Sequence, residues 1–141
     1  LDYDRADEVI KRYPNIDKWI IGGHSLGGAM AARYTYNNTS KISGLILLDS
    51  YPADNNDLSD KEIRVISIYS VKEGITTPEK ITKSREYLPE NTRWVEIKGG
   101  NHSQFGWYGF QSGDNEATIS RVKQQSITVN AIREFLSSNI N

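Results

Sequence analysis

The chain has no cysteine among its 141 residues. That excludes a disulfide framework, a thiol nucleophile and a cysteine-based zinc site. Histidine is nearly as scarce. His24 and His102 are the only two, too few for a histidine metal cluster, so an imidazole base must be one of them. No apolar run approaches a membrane span, and no membrane contact is expected from this segment. An excess of charge of one sign is also missing: 17 Lys and Arg against 18 Asp and Glu leave a net charge of −1. This argues against nucleic acid or an anionic membrane as a main partner. Internal repeats are absent. The acidic run from Asp54 to Asp60 lacks the glycine and final glutamate of a calcium loop and reads as a solvated loop. Neither metal nor cofactor is expected.

What is present is Trp19-Ile20-Ile21-Gly22-Gly23-His24-Ser25-Leu26-Gly27-Gly28. It reads as a buried strand entering a Gly-x-Ser-x-Gly turn and then a helix of small residues. A serine hydroxyl is a weak nucleophile and has to be thrust from the backbone toward a base. A sharp strand-to-helix turn does this, and crowding there is expected to require glycine at Gly23 and Gly27. Ser25 then sits at a helix N-terminus, where the Leu26 N–H faces a developing oxyanion. A bland alternative has Ser25 only capping the helix. A phosphate loop fits worse, because no Gly-Lys-Ser/Thr follows.

Of the two histidines, His24 lies inside the turn, where its side chain is expected to point away from that of Ser25. His102 lies in Gly99-Gly100-Asn101-His102-Ser103, after a strand, where a base reaches a serine at the end of a neighbouring strand. The orienting carboxylate is expected on a loop between Ser25 and His102. Ile63 to Tyr69 is a clean strand running into Ser70-Val71-Lys72-Glu73-Gly74, which makes Glu73 the first candidate. Asp49, closing the strand Gly44 to Leu48, is its rival.

These residues together resemble the α/β-hydrolase superfamily, and more narrowly the small bacterial α/β-hydrolases related to dienelactone hydrolase. The carrying segments are Gly22 to Ala29, Leu48 to Pro52, Ser67 to Tyr69 with Glu73-Gly74, Thr77 to Lys80, Gly99 to Gly106 and Gly113-Asp114-Asn115. The order serine, acid, histidine is that of the superfamily. The resemblance implies a Ser25–His102–Glu73 triad acting on a small-molecule ester or lactone, with acyl transfer or a non-catalytic fragment as alternatives. In the resembled relatives the acid is commonly Asp before Gly, and a small glycine is usual at the position of Ser70.

The elements then read as a helix over 4–13 with Ala6, Val9 and Ile10 on one face, and strands over 18–22, 43–49, 62–70 and 92–98. Helices are expected over 26–38, 77–88 and 118–139, the last with a stripe of Ile119, Val122, Val129, Ile132, Leu136 and Ile140. Alternation of strand and helix means an α/β fold with a doubly wound, mostly parallel sheet. The resembled fold has about eight strands, with the nucleophile strand fifth. Only four are found here, so residues 1–141 are expected to be the C-terminal part of a single domain. The strand before Ser25 should then expose an edge that favours self-association, and one oxyanion donor should be missing. Phe105, Trp107, Tyr108 and Phe110 either line a pocket beside His102 or pack its loop on the last helix.

Overall fold

The computed structural model describes residues 4–72 and 74–138. Its order is α1 (Arg5–Arg12), β1 (Trp19–His24), α2 (Leu26–Asn37), β2 (Ile42–Leu48), β3 (Arg64–Ser70), α3 (Pro78–Lys83), β4 (Arg93–Ile97) and α4 (Arg121–Ser137). The four strands form one parallel sheet in the order β1-β2-β3-β4. The α/β class and the parallel sheet are as the alternation implied.

Each strand sends alternate side chains to opposite faces, and both faces are covered, so the strands read as continuous apolar runs. Leu45, Leu47 and Val65 join Ala31 and Ala32 of α2 in one core. On the other face Ile66, Ile68 and Ile97 pack on Ala131 and Phe135 of α4. This leaves the carboxyl ends of all four strands along one rim. Backbone bonds extend the pairing past the strands: Ser25 N–H donates to Leu48 O at 3.0 Å, Asp49 N–H to Ile68 O at 2.9 Å, and Lys72 N–H to Gly100 O at 3.0 Å.

Several expectations are corrected. Helix α1 buries none of its residues, and Val9 is 49% exposed. What ties it down is a hydrogen bond from the Tyr34 hydroxyl to Asp7. The helix expected over 77–88 ends at Lys83 and tightens into a single 3-10 turn, Ser84–Tyr87. Pro78 does occupy the start of α3, where its missing N–H costs nothing.

The last helix starts at Arg121, because Ser120 caps it by accepting from Lys123 N–H. The residues before it are held by Gly99 O, which accepts from Thr118 and Ile119 N–H. Its buried residues are Gln124, Thr128, Ala131 and Phe135. Val122, Val129 and Leu136 of the expected stripe are exposed, although Ile119 and Ile132 do pack on the core. The hydrogen bonds of Gln124 described below set this rotation. Asn139 and Ile140 lie outside the described residues.

Candidate active site

Ser25 stands between β1 and α2 with φ +55° and ψ −127°, a conformation that L-residues rarely adopt. The strain holds because the surrounding backbone is packed tightly. A Cβ on Gly23 would sit 2.4 Å from the Gly27 carbonyl carbon, and one on Gly28 would sit 2.5 Å from Ser50 Cβ. The expectation for Gly27 is corrected: nothing lies within 4 Å of its Cβ position. Crowding is therefore exerted at Gly23 and Gly28, on the inward side of the turn. The Ser50 hydroxyl also donates to Ser25 O at 2.6 Å, pinning the elbow to the end of β2.

Leu26 opens α2. Its N–H belongs to the first turn, where backbone donors have no intrahelical acceptor. Ser25 and Leu26 line one wall of a cleft of about 270 Å³, with Ala29, Tyr51, Ala53 and Thr76 on the others.

His102 follows β4 in a 3-10 turn, His102–Phe105, and is fully buried. Its turn is fastened by amide side chains. Gln124, itself fully buried, donates to Asn101 O at 2.8 Å and accepts from Asn101 N–H at 3.0 Å. Asn101 in turn caps the turn by accepting from Gln104 N–H at 3.0 Å.

Asp49 follows β2 with φ +39° and is fully buried. Its Oδ1 accepts from Ser70 N–H at 2.7 Å and its Oδ2 from the Ser70 hydroxyl. Oδ2 also lies 3.8 Å from His102 Nδ1. Glu73, the first candidate for the acid, falls outside the described residues. Among the described residues beside it, Lys72 N–H donates to Gly100 O and Gly74 N–H to Asp114 Oδ1.

Sequence reasoning missed what surrounds the base. The His24 ring packs against that of His102, with centroids 4.3 Å apart, and its Nδ1 shares a 2.7 Å hydrogen bond with the Tyr108 hydroxyl. Of the aromatic cluster, Phe105 packs, while Trp107, Tyr108 and Phe110 are more than half exposed. Phe105 stacks on His24 and joins the core beside α4. The Trp107 indole N–H donates to Gln125 Oε1 at 2.8 Å, under the Arg121 guanidinium. None of the four lines the Ser25 cleft. The other omission is Ser70, whose hydroxyl is spent on Asp49.

The arrangement sets a strained serine after β1, a buried carboxylate after β2 and a buried imidazole after β4, all at the same rim of the sheet. The family model for the alpha/beta hydrolase family matches residues 1–126. No curated protein sequence matches the chain. Among solved structures it is similar to MGS-MChE2, an alpha/beta hydrolase enzyme from the metagenome of lagoon sediments at Mar Chica, Morocco. The identity is 14%, over 94% of this chain and 68% of that one, with a TM-score of 0.66. A predicted CIB-like hydrolase from Thermoplasma acidophilum is 17% identical over 94% of this chain and 60% of its own, with a TM-score of 0.66. The monoacylglycerol lipase of Paleococcus ferrophilus is 17% identical over 95% and 73%, with a TM-score of 0.67. At such identities the likeness speaks for the fold, and the chain spans between 60% and 73% of these three proteins. With the matched residues running from the first residue to within α4, the chain belongs to the alpha/beta hydrolase family.

Proposed function

We propose that this chain is the catalytic part of a serine hydrolase acting on an ester-like bond, a carboxylic ester or a lactone. The observation that carries the reading is Ser25 held at φ +55° in the lining of an open cleft. A residue that merely capped α2 would have no need of that strain, and its side chain makes no cap hydrogen bond. Ser25 Oγ attacks the substrate carbonyl while His102 takes its proton. The oxyanion that forms is met by the Leu26 N–H and the positive end of α2. His102 then protonates the leaving alcohol, and water releases the acyl group by the reverse path. A cleft this small and this apolar suits a small-molecule ester, in keeping with the resemblance to dienelactone-hydrolase relatives.

Glu73 is proposed as the carboxylate that orients His102 and offsets the charge of the imidazolium. Asp49 supplies a second reading, favoured by its burial and by the 3.8 Å between its Oδ2 and His102 Nδ1.

A fluorophosphonate probe should label the protein, and Ser25→Ala should abolish labelling and lower hydrolysis of a short-chain p-nitrophenyl ester by ~10³-fold or more. Labelling that persists in Ser25→Ala sinks the assignment of the nucleophile. Wild-type protein that neither labels nor hydrolyses supports a non-catalytic role. Glu73→Gln and Asp49→Asn compared in the same assay separate the two carboxylates, and the true partner of His102 costs ~10²–10⁴-fold in turnover.

A further inference from the structure

The Asp114 carboxylate gathers five donors from three stretches of chain. Its Oδ1 accepts from Gly74 N–H at 3.2 Å, His102 N–H at 3.3 Å and Asn115 N–H at 2.9 Å. Its Oδ2 accepts from the Ser103 N–H at 2.8 Å and the Ser103 hydroxyl at 2.6 Å. The Ser103 oxygen then accepts from Gln111 N–H at 2.8 Å, which closes residues 103–114 on themselves. A second observation is steric: a Cβ on Gly74 would lie 2.5 Å from Gly113 O and 3.0 Å from Asn115 N. The segment after β3 and the segment around Asp114 therefore lie backbone against backbone, and only glycine at position 74 admits the contact.

We infer that Asp114 is a positioning residue for His102, binding the histidine turn and the loop that follows β3 into one rigid unit. The inference rests on His102 being the base of the proposed reaction. The chemistry requires such a unit. Transfer of a proton from Ser25 demands an imidazole fixed within a few tenths of an ångström, and a misplacement of about 1 Å costs ~10²-fold in rate. His102 sits on a single short turn, which does not fix itself. Gln124 holds it from the α4 side and Asp114 from the β3 side. A carboxylate suits the second post because every group facing it is a donor, and charge-assisted bonds to N–H and O–H groups are the stronger kind. Burial pushes the Asp114 carboxyl up, but the bonds from Ser103, Gly74 and Asn115 outweigh it and hold the group below the ordinary carboxylate range. It is thus anionic at neutral pH.

The two oxygens divide the work, which gives a graded test. Asp114→Asn retains an acceptor for Gly74, His102 and Asn115 but turns an N–H₂ toward Ser103. Asp114→Ala removes all five bonds. Ser103→Ala removes only the hydroxyl contact. With a short-chain p-nitrophenyl ester, kcat should fall least in Ser103→Ala, about 10-fold in Asp114→Asn and ~10²-fold in Asp114→Ala, with KM within about twofold throughout. Rates are taken per active site, counted by fluorophosphonate labelling run to completion. A purely structural role would lower the count of sites and leave kcat per site unchanged, and that result overturns the inference. Amide hydrogen exchange supplies a readout that needs no activity. In Asp114→Ala, exchange at Gly74, His102 and Ser103 should accelerate together, while the amides of β2 stay protected. If the wild type neither labels nor turns over, the proposed function fails while exchange still judges the strap. Unchanged exchange at those three amides overturns the strap itself.

Discussion

Ser25 illustrates how a reactive conformation is kept by residues that take no part in the reaction. The positive φ is unfavourable by itself, and what sustains it is the fit of Gly23 and Gly28 against their neighbours. A methyl group at Gly23 meets backbone atoms of Gly27 and Gly28 at 2.4–2.6 Å, and backbone cannot rotate aside. Gly23→Ala should cost about 1–3 kcal/mol or more of stability through overpacking. Gly27→Ala meets nothing, lies in α2, and should be neutral or stabilising by about 0.4–1 kcal/mol. Denaturant unfolding of the two variants side by side checks this. Equal losses would show that the turn, rather than these contacts, is what is fragile.

Among the elements, α4 has the most unexpected orientation. Its apolar residues at Val122, Val129 and Leu136 face water, while Gln124 is fully buried because its amide serves both the N–H and the C=O of Asn101. Two hydrogen bonds to buried backbone outweigh the burial of a valine that keeps most of its surface wet. Gln124→Leu keeps a similar volume and orphans both groups of Asn101, a loss of ~1–3 kcal/mol for each. An exposed control, Val122→Ala, should stay within about 0.5 kcal/mol of the wild type. Should Gln124→Leu unfold at the wild-type denaturant midpoint, the account of the rotation of α4 is wrong.

For the whole molecule, the position of β1 governs behaviour. It pairs with β2 alone in the described sheet, and none of its six residues is buried. β2 and β3, with a partner on each side, bury most of theirs. An edge strand carrying Trp19, Ile20 and Ile21 offers a template to a second copy. The 141-residue chain should therefore self-associate with rising concentration in static light scattering. A single monomeric mass across the micromolar range would show the edge to be protected.

The sequence by itself determined the class of fold, because strand-like runs at 18–22, 43–49 and 62–70 alternate with helical stretches, and the nearly all-apolar run 43–49 suits a strand covered on both faces of a parallel sheet. It likewise determined the elbow, since strand, Gly-x-Ser-x-Gly and small-residue helix are all local signals. It did not reveal which residues hold His102. Asp114, Gln124 and Tyr108 meet the histidine turn or His24 from 12 to 84 residues away in the chain, and nothing in their immediate surroundings marks them. Nor did the rotation of α4 follow from its apolar periodicity, which lost to hydrogen bonds that exist only once β4 and α4 are packed together. Position within a strand or turn is written in neighbouring residues, whereas the satisfaction of a buried polar group depends on whatever the fold brings beside it. Only the tertiary structure could decide that second matter.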